Sequence, residues 1–221
     1  MINLYNQDCL EAMKKMDDNN YDLAIVDPPY GIGIAKDFHK NGKNNCEGWK
    51  KHPLKKWDHQ TPSKEYFNQL FRVSKNQIVF GGNYFIDKIK KPSQGWIVWN
   101  KIQRGFSLAD GELAWTSFDK AIRIFDYARG NTKGFAPMMK GSERKFIGIH
   151  PTQKPVALYA WILNNYAKEN DKILDTHLGS GSIAIACHNL GFDLDGYELD
   201  VDYFEAASKR LKEHQRQLRL F

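Results

Sequence analysis

Cysteine is scarce. The 221 residues hold three, Cys9, Cys46 and Cys187. No Cys-x-x-Cys pair occurs, so neither a zinc site nor a disulfide framework is indicated, and each thiol reads as incidental or buried. Long hydrophobic runs are absent too: no stretch approaches the ~20 apolar residues that cross a bilayer. The opening MINLYNQDCLEAMKK lacks the charged-then-apolar pattern of a secretory signal. These absences point to a cytoplasmic protein with no membrane partner and no metal site. There is no internal repeat. Acidic residues run short of basic ones, 26 against 32, for a net charge of +6.

What is present fits one folded unit. Hydrophobic residues make up 42% and aromatics 13%, enough for a core, and the length suits a single domain over 1–221 rather than two. The basic excess is uneven. One cluster fills 36–56, KDFHKNGKNNCEGWKKHPLKK; a second holds Arg129, Lys133, Lys140, Arg144 and Lys145; a third runs from Lys209 to Arg219. Concentrated positive charge suits a polyanion such as nucleic acid, although a basic solvated surface gives the same composition. Residues 31–60 have no apolar periodicity and read as a mobile basic loop.

Around that loop strands and helices alternate. Strands are expected at 21–27, 76–82, 95–101, 172–175 and 193–199, and a strand pair at 111–118 and 120–127. Helices are expected at 9–16, at 63–74 behind a Ser63 cap, at 155–170 as an amphipathic helix with Pro155 in its first turn, after the turn at 176–182, and at the C-terminus. This order implies an α/β fold: a mostly parallel, seven-stranded sheet with helices on both faces.

Two stretches carry chemistry. In ILDTHLGSGSIAIACHNLGFDLDGYELD a strand meets a glycine turn that opens a helix. Gly179, Gly181 and Ala184 have the G-x-G-x-x-A spacing, and Glu198 stands where an acid accepts from ribose hydroxyls. This points to a nucleoside-bearing cofactor without choosing between NAD and S-adenosylmethionine; an ordinary tight turn is the plain alternative. No Gly-Lys-Ser/Thr follows, which disfavours a phosphate loop. The second stretch is LAIVDPPYGI (23–32). A strand there ends in Asp27, Pro28, Pro29 and Tyr30. The prolines lack N–H groups and stiffen the segment. A carboxylate, a fixed carbonyl and a flat ring together suit a planar group that donates two hydrogens, such as an exocyclic amine on a base; base stacking on an aromatic ring contributes about 1–3 kcal/mol.

Asp27-Pro28-Pro29-Tyr30 resembles the (D/N/S)PP(Y/F/W) motif of amino-methyltransferases, which methylate exocyclic amines of nucleic-acid bases. DTHLGSGS resembles their cofactor motif, NQDCLEAM their Gly-Asp-Cys segment, IHPTQKPVAL the segment before the cofactor strand, and GYELDVDYFEAASKRL their acid-bearing strand and helix. The order, with DPPY first and the glycine turn late, is similar to that of the β-group of DNA methyltransferases, and 57–85 resembles small phage and prophage adenine methylases. The resemblance implies a Rossmann-like S-adenosylmethionine-dependent methyltransferase fold and methylation of the N6 amine of adenine in double-stranded DNA, in a restriction-modification setting. It implies catalytic roles for Asp27, Pro28, Pro29 and Tyr30. Cofactor contacts would come from Asp8, which would accept from the cofactor's adenine amine, and from Cys9. Thr152, Gln153 and Lys154 would lie near the methionine end. Asp175, His177, Gly179, Ser180, Gly181 and Ser182 would form the floor, and Glu198 would hold the ribose. Thr176-His177 replaces the usual Pro-Phe, and Gln7 a glycine. His150 reads as orienting its loop.

Target recognition is expected within 100–148, and Trp49 in the basic loop would close over an extruded base. The resemblance admits a homodimer, which no residue pattern demands. N4 of cytosine, adenine in RNA, an inert nucleic-acid-binding subunit and an NAD oxidoreductase are the competing readings; DPPY leans to adenine. No Pro-Cys pair occurs, as C5-cytosine chemistry requires.

Overall fold

A computed structural model of the chain describes residues 1–33, 58–105, 109–128 and 153–216. Its strands are β1 (Ile2–Tyr5), β2 (Tyr21–Val26), β3 (Ser74–Phe80), β4 (Trp96–Asn100), β5 (Gly111–Thr116), β6 (Arg123–Asp126), β7 (Lys172–Asp175) and β8 (Asp193–Tyr197). Its helices are α1 (Cys9–Met13), α2 (Lys64–Val73), α3 (Ile86–Ile89), α4 (Val156–Tyr166), α5 (Ser182–Leu190) and α6 (Val201–Arg216), with a 3₁₀ turn at Gly82–Tyr84. One sheet results, in the order β1-β8-β7-β2-β3-β5-β4-β6. The run from β1 to β3 is parallel; β5 is antiparallel to β3 and to β4, and β6 is parallel to β4.

The sheet separates two cores because strand residues alternate faces. Leu23, Ile25, Ile78, Phe80 and Ile173 pack with α4, α5 and α6 on one side. Ala24, Val26, Val79 and Leu174 pack with α1 and α2 on the other. Both faces are therefore covered, as parallel strands require.

Eight strands stand where seven were expected. The unread strand is β1, only four residues long and too short for periodicity to show. It earns its place through tertiary pairing with β8, Ile2 beside Leu194 and Leu4 beside Gly196. The expected pairing of 111–118 with 120–127 does not form. Instead β5 pairs antiparallel with both β3 and β4, and as an inner strand it buries Ala114 and Trp115 on opposite faces of the sheet. Strand β6, with Arg123, Ile124 and Asp126 exposed, takes the edge beyond β4.

The helices also differ in detail. Ser63 Oγ caps α2 by accepting from Tyr66 N, as expected. Helix α1 stops at Met13 rather than 16. Pro155 sits at the N-cap of α4 rather than inside its first turn, and the helix is apolar around most of its surface, exposing Asn164 and Asn165.

Parallel pairing points the C-terminal ends of β1, β8, β7, β2 and β3 to one rim. The chain leaves β7 toward β8 on one side and β2 toward β3 on the other, so the β7/β2 junction is a topological switch point, where open α/β sheets bind ligands. Asp175 ends β7 at this junction, and Asp27 follows β2.

Candidate active site

The diproline segment is held from several sides. Tyr30 Oη donates to Asp27 Oδ1 at 2.7 Å. The Tyr30 ring stacks on Tyr84 at 5.0 Å between centroids and meets Phe85 edge-on. It also lies against Gly81, which has φ of +68°; a Cβ there would come within 2.2 Å of Tyr30 Cε1. Glycine at 81 thus serves both the left-handed turn and the close approach. The Gly31 N–H donates to Asp58 Oδ1 at 2.8 Å, tying down the far end of the segment.

The other oxygen of Asp27, Oδ2, pairs with Lys154 Nζ. Lys154 stands 3.2 Å from Glu112 Oε2, and Glu112 Oε1 lies 2.7 Å from Lys101 Nζ. Four charges alternate, Asp27, Lys154, Glu112, Lys101, and sum to zero. The order follows from the sheet: Lys101 follows β4 and Glu112 is the second residue of β5, antiparallel neighbours on the same rim. The Lys154 side chain keeps 2% of its exposure, against 18% for Asp27 and 20% for Glu112, so the carboxylates stay more open than the cation between them. Burial pushes Lys154 down, but the two carboxylates outweigh it and hold the ammonium above its ordinary range. Burial likewise pushes Glu112 up, yet Lys154 and Lys101 bring its carboxyl below the usual range. At Asp27 burial prevails and raises the carboxyl, opposed by Lys154 and Tyr30.

On the other side of the switch point the glycine turn follows β7. Gly179 and Gly181 have φ of +53° and +71°. Glu198, past β8, accepts from Gly179 N at 2.8 Å through Oε2 and from Asp200 N at 2.9 Å through Oε1. The Ser180 and Ser182 hydroxyls are 3.1 Å apart, and Arg210 of α6 donates to Ser180 O and Ser182 Oγ. Asp8 caps α1, its Oδ1 accepting from Leu10 N at 2.8 Å. Asn6 donates to Glu198 O, which brings the β1 and β8 ends together. Asp175 accepts from His177 N, and burial pushes its carboxyl up to about 8. His177 is pushed down to about 4 by burial, so its ring is neutral at pH 7 and bonds Thr176 Oγ1. Thr176 also bonds the buried Tyr66 hydroxyl at 2.6 Å, and the Tyr66 ring meets His177 edge-on at 5.5 Å. Burial raises the Cys9 thiol to about 12, so it is protonated at neutral pH and is no nucleophile.

The family of DNA methylases that act on N6 and N4 amines matches residues 21–209. The chain belongs to this DNA methylase family. The type II methyltransferase M.HpaI of Haemophilus parainfluenzae is 29% identical over 91% of this chain and 71% of its own length. The structure of M1.HpyAVI with S-adenosylmethionine is similar at TM-score 0.57 and 25% identity, over 96% of this chain and all of that one. The cytosine-N4-specific PvuII DNA methyltransferase shares the fold at TM-score 0.58 and 12% identity, over 96% and 90%. This methylase takes S-adenosylmethionine as its cofactor. Its residues fit that group. Asp8, Asp175 and Glu198 are acceptors at the tips of β1, β7 and β8, and the cofactor offers an amine, two ribose hydroxyls, an ammonium and a sulfonium cation.

The resemblance implies a place for Lys154 near the methionine end of the cofactor; in the structure its ammonium pairs with Asp27. Glu112, Lys101, Tyr84 and Arg210 escaped the sequence reading. Tyr84 and Gly81 were present in the FGGNY segment, but nothing in it announced contact with Tyr30. The third basic cluster divides: Arg210 is spent on the glycine turn, and α6 returns away from the rim. Thr152, His150, Trp49, Cys46, residues 34–57 of the basic loop, and residues 106–108 and 129–148 of the expected recognition region lie outside the described residues. Among the described residues no helix is long and apolar enough to cross a membrane.

Proposed function

We propose that this methylase transfers the methyl group of S-adenosylmethionine to the N6 amine of adenine in double-stranded DNA. The observation that carries the reading is the place of Asp27-Pro28 on the rim. It offers a carboxylate and a proline carbonyl across the switch point from Asp8, Asp175 and Glu198. The residues proposed to act on the cofactor are Asp8, Cys9, Thr152, Gln153, Asp175, His177, Gly179, Ser180, Gly181, Ser182 and Glu198; Lys154 is proposed to act at Asp27 instead.

The bound cofactor supplies a methyl already activated on sulfur. What the protein must do is present the amine. Its lone pair is delocalised into the purine ring, which makes it a poor nucleophile. Asp27 and the Pro28 carbonyl accept its two N–H bonds, favour a pyramidal nitrogen and aim the lone pair across the β7/β2 junction. Positioning of this kind supplies much of the acceleration. Tyr30, clamped by Gly81 and Tyr84, holds Asp27 through its hydroxyl and presents ring surface to the base. The product nitrogen sheds its proton readily, so no covalent intermediate and no strong base are needed. A duplex base must leave the stack, at a cost of a few kcal/mol.

The acid in the first position of the motif supports adenine over cytosine. The deciding experiment methylates DNA with tritium-labelled cofactor, digests it to nucleosides and separates them. Label in N6-methyldeoxyadenosine is the expected result; label in N4-methyldeoxycytidine overturns the base assignment, and label accepted from RNA alone overturns the substrate.

A further inference from the structure

Both oxygens of Asp27 are already engaged: Oδ1 by the Tyr30 hydroxyl and Oδ2 by Lys154. A target amine must therefore reach a carboxylate that an ammonium already occupies. The same ammonium also opposes the reaction, because the amine nitrogen gains positive charge as the methyl arrives, and like charges in a poorly solvated site repel strongly. Beside it lies a second carboxylate. Glu112 Oε2 is buried and lies 3.2 Å from Lys154 Nζ, which sits closer to Asp27 Oδ2. The ammonium thus already stands within ion-pair reach of both acids. Glu112 is itself fixed through Oε1 by Lys101, whose ammonium stands over the Trp99 ring at 5.0 Å.

We propose that Glu112 is a second seat for the Lys154 ammonium. Lys154 shifts from Asp27 Oδ2 to Glu112 Oε2 as the target amine enters, and so releases Asp27 to accept the amine. The shift is a side-chain rotation; no bond is made or broken, and the four charges stay balanced throughout. Glu112 acts as a positioning residue, and Lys101 holds it in place. The proposal rests on amine methylation at Asp27.

The plain alternative is that Glu112 only neutralises buried lysines. Two variants separate the roles. Glu112→Gln removes the seat and leaves an excess ammonium. Glu112→Gln with Lys101→Met removes the seat but restores charge balance, and it carries the test if the single variant does not fold. Transfer of tritiated methyl to DNA is measured for each, with thermal stability and cofactor affinity alongside. In both variants kcat is expected to fall about tenfold or more while KM for DNA and cofactor affinity stay within about twofold, the pattern of an interaction used only on the way to the transition state. The double variant regains thermal stability without regaining kcat. Glu112→Asp, which keeps the charge, recovers most of the rate. A double variant with wild-type kcat overturns the second seat. Wild-type protein that methylates no DNA overturns the amine-methylation reading itself, and the two failures are told apart by the wild-type control.

Discussion

On the β2-to-β4 side of the rim, the half-buried Asp27 and Glu112 face the buried Lys154 and Lys101, and four charges cancel. On the β1-to-β7 side, Asp8, Asp175 and Glu198 form no ion pair with a lysine or arginine among the described residues; their partners are backbone amides. On the proposed function the difference would match the two ligands. A neutral base would need acceptors in a site of no net charge. A sulfonium donor carries its own positive charge and would be received by acids with no lysine or arginine partner among the described residues. One rim thus holds a balanced half and an acidic half, joined at the β7/β2 switch point.

The contrast can be broken most severely at Asp27. Asp27→Ala removes an acceptor and leaves Lys154 paired with Glu112 alone. Methyl transfer should drop about a thousandfold, in the range seen when a group that stabilises the transition state is deleted, while calorimetric cofactor binding changes little. Equal losses in both would show that the halves are not separable.

The reverse experiment targets the acidic half. Glu198→Gln keeps the shape of the side chain but loses its charge. Cofactor affinity should weaken about tenfold to a hundredfold, the worth of a charged hydrogen bond, with the saturated transfer rate nearly kept. A variant that binds cofactor normally removes Glu198 from the site.

The smallest effect is one of pH. In the folded protein the Asp175 carboxyl titrates near 8, against an unfolded value of about 3.9. Its folded pKa is raised, so the folded state binds the proton more tightly. The associated stability is present below the unfolded value and is lost as pH rises toward 8. The cofactor-free protein should therefore melt progressively lower from pH 6 to 9. Cofactor binding favours the ionised acid, so affinity should rise several-fold over pH 7 to 9. Asp175→Asn should flatten both trends, and a slope unchanged by that substitution assigns them to another group.

Much of this site was legible before any coordinates. The DPPY corner, the glycine turn and Glu198 were found because each belongs to a contiguous stretch whose residue types limit the backbone. The acid at 198 was placed by its spacing from Gly179, and the structure joins the two by a hydrogen bond. Lys101 and Glu112 were not legible. They sit 11 residues apart in segments that read only as strands, and 42 residues separate Glu112 from Lys154. Strand β1 was too short to show a period. The partner expected for β5 rested on adjacency in sequence, which favours a hairpin, whereas its pairing with β3 and β4 is set by contacts between segments distant in the chain.

The sequence by itself determined the αβ alternation, the DPPY corner and the glycine turn, and the chemistry each can offer. Those are local properties: proline and glycine act on their own dihedral angles, and side-chain periodicity acts within one element. Tertiary structure alone decided which charges meet. Parallel pairing gathers the ends of β1, β8, β7, β2 and β3 on one rim, and the antiparallel β4–β5 pair swings Glu112 and Lys101 onto it. Coulomb interaction depends on distance in space, and for Lys154 that distance was set by sheet order.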